Sequence, residues 1–352
     1  MMPPTLHVCP FCPLHCDDIS IEASSEGQPI AKVQCSKATV AYTTALSGTQ
    51  SARIADTAVT PALAAEKAKD LLAGHGVIHV ATSGTDLDTA RRLNRLQAHD
   101  RIRIAIDDTV STTAWRAAVG REGTLSATLG DVRMHADVVW TIGDVESDTP
   151  RLREQIDAEA KKSVHSNSLA AEPLAEIFYS LRTNSQSNDN LKPIVAPIES
   201  ANYLAVILGA DAFVESEATA TVEMLSKLLW YLNQTKRAIV LQLDAAATNR
   251  AVTAWQSNTL VDSVTNPPHD EVHVRLGSPA EHAQAATIQI GGIDRGRQFA
   301  EIFWPAAIVG IDRDGVIIRG DATVTMPLAA ARPTEIPTAI ECLELWLGEL
   351  PN

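Results

Sequence analysis

The chain has 352 residues, 29 of them basic and 43 acidic, for a formal net charge of −14. This length suggests two or three domains, and the absence of a long apolar run points to a soluble chain rather than a membrane span. Without a basic patch the sequence does not read as a nucleic-acid binder, and its acidity disfavours polyanion capture away from a local basic cluster.

Residues 1–55 are expected to form a small cysteine-rich β domain: a short strand, a cysteine loop, a hairpin of Ile19–Ala23 and Ala31–Cys35, and a helix from Ser36. Four of the five cysteines fall here, as Cys9, Cys12, Cys16 and Cys35. The spacing C-x2-C-x3-C with one remote cysteine suits an iron–sulfur cluster, because one loop can wrap three corners while the next strand supplies the fourth. Zinc fits the same four thiolates, an empty site is a further reading, and a disulfide pair ranks last. Met1–Leu6 lacks the basic start and apolar core of a signal peptide. A cytoplasmic chain keeps its thiols reduced. His7 and His15 flank the cysteines as shields, hydrogen-bond donors or plain loop residues.

From residue 56 to about 190 the pattern alternates α and β. Helices are expected at Pro61–Gly74 and Asp86–Ala98, strands at Val77–Ala81, Ile102–Asp107 and Val138–Ile142, and a helical turn at Asp131–His135. Short apolar runs between helices imply a parallel sheet covered on both faces. Residues 183–192 read as a polar loop. A second α/β lobe, 191–303, holds strands at Ala205–Gly209, Ala238–Leu243 and Val272–Leu276 and helices at Ser216–Asn233 and Ala246–Trp255. Residues 304–352 form a C-terminal segment packing on the lobes. There Ile308–Asp312 and Val316–Arg319 flank a tight turn at Asp314-Gly315, and Pro337–Leu347 is an apolar helix with Cys342 as plain core. Phe303-Trp304-Pro305 and Trp346 are expected either at a contact surface or in the core.

The start H-V-C-P-F-C-P-L-H-C-D-D-I (7–19), with Cys35 following, resembles the B subunit of formylmethanofuran dehydrogenases, the cluster-bearing molybdopterin or tungstopterin subunit. I-D-D-T-V-S-T-T-A-W (106–115) and T-L-G-D-V-R-M-H-A-D-V-V-W-T-I-G (128–143) are similar to that family's metal-site segment. A-E-I-F-W-P-A-A-I-V-G-I-D-R-D-G (300–315) and R-G-D (319–321) are similar to its C-terminal signature. The resemblance implies doubly wound, molybdopterin-oxidoreductase-like lobes.

The departures carry as much information. In that family a cysteine or selenocysteine ligates molybdenum or tungsten and a histidine follows it. Matching the segments places Thr113 at the thiolate position and Ala114 at the histidine position. A threonine hydroxyl replaces a soft thiolate poorly, and alanine moves no proton. No cysteine lies between Cys35 and Cys342 to restore the ligand. The loops around Val264–Gly277 also read as shortened. The expectation is therefore a chain without molybdopterin or tungstopterin and without a catalytic residue of its own.

A redox-inactive relative of that subunit belongs to the formyltransferase/hydrolase complex, which moves formyl from formyl-tetrahydromethanopterin to a methanofuran-type carrier and hydrolyses it to formate. The resemblance implies amidohydrolase-like, formyltransferase and C-type subunits as partners, with neither nucleic acid nor membrane. Two alternatives stay open: an active pterin-dependent dehydrogenase subunit, and a stand-alone α/β ligand-binding module. No H-x-x-x-H or H-E-x-x-H pair suggests a separate metal site. Ser83, Ser111 and Thr113 lack evident triad partners. The T-S-G-T stretch ending in Gly84 and Thr85 reads as the approach to a helix cap.

Overall fold

A computed structural model describes residues 6–23, 29–47, 50–73, 77–183, 189–258, 262–263, 272–280 and 283–348. The chain opens on an antiparallel sheet of β1 (Leu6–His7), β2 (Ile19–Ala23) and β3 (Pro29–Lys32). Next comes α1 (Ser36–Leu46), whose N-cap is Cys35 itself. A hairpin of β4 (Arg53–Ile54) and β5 (Thr57–Ala58) leads to α2 (Pro61–Ala73), β6 (Ile78–Thr82), α3 (Leu87–Ala98) and β7 (Ile102–Ile106). Proline opens α2 where its missing N–H is no loss. Asp86 caps α3 by accepting from the Asp88 and Thr89 amides at 3.0 and 3.2 Å.

Residues Asp108–Leu243 form a compact unit of their own. It holds α4 (Val110–Glu122), α5 (Leu129–His135), β8 (Val138–Ile142), α6 (Leu152–Gln155), β9 (Lys162–Ser166), α7 (Ala171–Thr183), α8 (Lys192–Ser200), β10 (Tyr203–Leu208), α9 (Ala218–Leu232) and β11 (Arg237–Leu241). The strands pair in parallel in the order β11-β10-β8-β9. Trp140, Val206 and Val240 pack with Trp115, Leu225 and Leu228 in its core. Trp140 is fully buried and its Nε1 donates to the Ser166 hydroxyl at 2.9 Å, which meets the need of a buried indole for an acceptor.

The chain then rejoins the first unit with α10 (Ala247–Ser257), β12 (Asp262–Ser263), β13 (His273–Leu276), β14 (Ala286–Ile290), β15 (Ala300–Trp304), β16 (Gly315–Ile318), β17 (Thr325–Leu328) and α11 (Ala339–Leu347). The late strands extend the early sheet, in the order β12-β7-β6-β13-β14-β15-β4-β5. Pairing is parallel as far as β15 and antiparallel at β4 and β5. Val80, Ile104, Val274, Ile288 and Ile302 share a core with residues of α2, α3 and α11. Strand alternation gives the opposite face His79, Arg103, His273, Arg275 and Gln289. The architecture is α/β with parallel sheets and a cysteine-rich N-terminal β segment, as the sequence implied.

The division into units departs from the linear boundaries expected near 190 and 303. β13–β15 pair with β6 rather than with β10, so residues 272–303 belong with the N-terminal half. Residues 108–190 share a sheet with β10 and β11. The tight turn expected at Asp314-Gly315 is likewise displaced, and Gly315 begins a strand. The Asp312 carboxylate accepts from the Ile308 amide at 3.0 Å and pairs with Arg332 at 2.7 Å, closing 308–312 into a turn. β16 then pairs with β17. Phe303 is fully buried, and Trp304 and Trp346 meet edge to face at 5.5 Å beside the main core. Trp304 and Trp346 fill space between α11 and the sheet, whereas Phe303, paired with Gln289, lies on the sheet's other face. The polar loop at 183–192 and the segment around 264–277 lie partly outside the described residues. No described helix is long and apolar enough to cross a membrane.

Candidate functional site

The cysteine loop runs from β1 to β2 and closes on itself. The Cys9 amide donates to the Cys16 carbonyl at 2.8 Å and the His15 amide to the Cys12 carbonyl at 3.1 Å. His15 takes a left-handed backbone, with φ 43°. Its buried ring places Nδ1 3.0 Å from the Cys9 carbonyl, which only accepts, so Nδ1 carries the hydrogen there. Outside the loop, the Gly320 amide donates to the Pro13 carbonyl at 2.8 Å and Ile311 packs with Cys9, Ile19 and Tyr42. His7, like His15, is buried, and Asp17 and Asp18 are exposed.

All four sequence-derived ligands are free thiols; Cys9 and Cys16 are buried, Cys12 and Cys35 half-buried. Negative charge on Cys12, Cys16 or Cys35 would raise the Cys9 thiol further. Among the described residues no three His, Cys, Asp or Glu side chains close on one point as a ready single-ion site. Backbone amides face the sulfurs: Phe11 toward Cys9, Leu14 and His15 toward Cys12, and Ala38 toward Cys35 at 3.5 Å. Burial pushes the Cys9 thiol up to about 12 against the help of the Phe11 amide. Burial also raises Cys12, opposed by the Leu14 amide and the Lys37 ammonium. The loop therefore favours neutral thiols until a cation arrives, while already offering N–H donors to thiolates. Four thiols backed by amide donors fit a thiolate-bound metal group.

Thr113 and Ala114 belong to the other unit. Thr113 is exposed on α4, and its amide donates to the Thr109 carbonyl at 2.9 Å. Ala114 packs beside the core that contains Trp115. Ser111 is buried and committed to the Phe213 backbone, at 3.0 Å from its amide and 3.1 Å from its carbonyl. The segment matched to a metal-ligating region is here an ordinary helical turn.

A further cluster escaped sequence reasoning. In the first unit the strand order reverses between β6 and β13, the point at which open α/β sheets commonly leave a ligand crevice beyond the strand ends. Protein atoms crowd that point. Arg275 makes an ion pair with Asp107 and donates to the Gln284 carbonyl at 2.8 Å. The Ser83 hydroxyl donates to Asp107 at 3.0 Å and accepts from the Ala280 amide at 3.1 Å. Gly84, with φ 145°, approaches so closely that a Cβ there would stand 2.1 Å from the Ala245 carbonyl oxygen. The available signal was an arginine inside the apolar strand run V-H-V-R-L.

No family model and no curated protein matches the chain. Its fold is similar to that of a chain in the crystal structure of the formyltransferase/hydrolase complex from Methylorubrum extorquens, solved in complex with methylofuran. The TM-score is 0.63 at 18% sequence identity, covering 84% of this chain and 97% of that one.

Proposed function

We propose that the chain is a structural subunit of a formyltransferase/hydrolase-type complex, corresponding to the B subunit. In such a complex formyl transfer and hydrolysis belong to partner subunits, of formyltransferase and amidohydrolase type, and this chain carries no active site of its own. The observation that carries the reading is the extent of the fold likeness, which takes in nearly the whole of the compared chain. Thr113 and Ala114 add support: a helical threonine and an alanine offer neither a soft ligand nor a proton-transfer group. The crowded strand ends around Arg275 and Gly84 favour a scaffold over a pterin-binding lobe.

In this reading Cys9, Cys12, Cys16 and Cys35 hold an iron–sulfur cluster or zinc. The bound group supplies folding energy to the N-terminal segment, because thiolate coordination exists only in the folded state. The loop's backbone hydrogen bonds join Cys9 to Cys16 and Cys12 to His15, and Cys35 caps α1, an arrangement that supports this reading.

Co-expression with amidohydrolase-like, formyltransferase and C-type subunits tests the assignment. The expected result is a stable complex whose formyl transfer and hydrolysis fall when this chain is left out. A chain that runs alone, with both activities intact without it, overturns the reading. Element and pterin analysis of the purified chain is the second arm: no pterin and no molybdenum or tungsten is expected. A stoichiometric pterin fluorescence signal would favour the dehydrogenase alternative.

A further inference from the structure

Tyr42 stands on α1 with 2% of its surface exposed. It packs in the same apolar cluster as Cys9, Ile19 and Ile311. The edge of Phe11 meets its ring, with centroids 5.0 Å apart and planes at 86°, so the ring has little freedom to turn. Its hydroxyl faces the Cys9 sulfur as its nearby partner but falls short of full hydrogen-bond geometry with it. A phenol presents an O–H donor. Buried donors are almost always satisfied, and packing alone would be served as well by phenylalanine. A neutral thiol is a weak acceptor, whereas a metal-bound thiolate sulfur is a charged one. The backbone of Cys9 is held as well, its carbonyl taking the His15 Nδ1 hydrogen at 3.0 Å.

We infer that Tyr42 is a positioning residue of the four-cysteine site, its buried hydroxyl completing a hydrogen bond to the Cys9 sulfur once that sulfur is a metal-bound thiolate. The inference rests on the reading that the four cysteines hold a metal group. Through this bond Tyr42 would orient Cys9 and draw charge from its sulfur, as partners behind metal ligands commonly do.

The test uses the full chain, wild type and Tyr42→Phe, prepared anaerobically and reduced. Each is titrated with Co2+ as a spectroscopic stand-in for zinc, and in parallel reconstituted with Fe2+ and sulfide. In whichever form the wild type takes up, Tyr42→Phe is expected to hold the metal roughly 10-fold or more less tightly. Its sulfur-to-metal charge-transfer band should move to lower energy, as expected for a more electron-rich sulfur. The metal-free variant should melt at or above the wild-type temperature, since an unsatisfied hydroxyl has been removed. Equal affinity together with an unmoved band overturns the inference while leaving the four-cysteine site standing. A wild-type chain that takes up neither metal overturns the site reading itself, and Tyr42's role with it.

Discussion

Arg275 and Asp107 form an ion pair closed off from solvent at the carboxyl end of the first unit's parallel sheet, with side-chain exposures of 0% and 2%. Ser83 and the Gln284 carbonyl hold the same two groups. The arrangement explains how an arginine sits inside a strand whose neighbours are apolar: its charge is compensated where it is buried.

Breaking that pair should be costly, and breaking it from both sides less so. Arg275→Met or Asp107→Leu alone leaves an unpaired charge in the sheet and is expected to lose ~3–5 kcal/mol of stability. The double variant should recover a large share of the summed loss, because no charge remains to be solvated. Urea denaturation of the three variants measures the coupling. Strictly additive losses would show that the two side chains do not act as a pair.

Arg53 and Asp294 make a second pair, with two hydrogen bonds of 2.8 Å each. Burial works to raise the Asp294 carboxyl, but Arg53 and the Gly296 amide outweigh it and hold it below the ordinary carboxylate range. A lowered folded value means that the stabilisation is present above the unfolded pKa of about 4 and is lost as pH falls through the folded one. Asp294→Asn should therefore be less stable than wild type at pH 7, and the gap should shrink as the pH drops below about 4. Denaturation midpoints at pH 7, 5, 4 and 3 decide it; a gap of constant size counts against the pair.

Two glycines should respond in opposite directions. Gly84→Ala meets both a φ of 145° and a carbonyl oxygen 2.1 Å from the new Cβ. It is expected to cost roughly 2–4 kcal/mol through strain and overlap. Gly120 is helical and exposed, and a Cβ there meets nothing within 4 Å. Gly120→Ala should stabilise by about 0.5–1 kcal/mol. Thermal melts of the two variants provide the comparison, and equal effects would contradict the local geometry.

Gly320 couples the C-terminal segment to the cysteine loop. A Cβ there would lie 2.5 Å from the Pro13 Cβ and 2.6 Å from the Pro13 carbonyl oxygen. Gly320→Ala is expected to push Pro13 away and expose the neighbouring thiols. Without metal, a thiol reagent should label Cys9 and Cys12 several-fold faster than in wild type, while the buried Cys342 keeps its rate. Unchanged labelling would mean that the loop stands without this support.

Much of the chain's local structure is legible in its sequence. Val138–Ile142 is a strand over the expected residues, and α2 and α3 lie within a residue or so of theirs. Apolar periodicity and Pro or Asp start signals are local properties, and a chain carries them along its length. The four cysteines likewise announced themselves by spacing alone. What lay beyond reach depends on partners remote in sequence. β13 could have joined either parallel sheet, since a short buried run carries no label for its neighbour. The choice of β6 over β10 placed residues 272–303 in a unit interrupted by 108–243. β9, α7 and β14 went unread because their apolar residues make sense only against the sheets that cover them. The Asp314-Gly315 turn was a sound local reading until Asp312, committed to the Ile308 amide and Arg332, turned the chain earlier. In the candidate site, sequence supplied the four cysteines. Only the fold brought α1 and its Tyr42 hydroxyl against Cys9, because that contact joins an N-cap helix to a loop more than two dozen residues earlier.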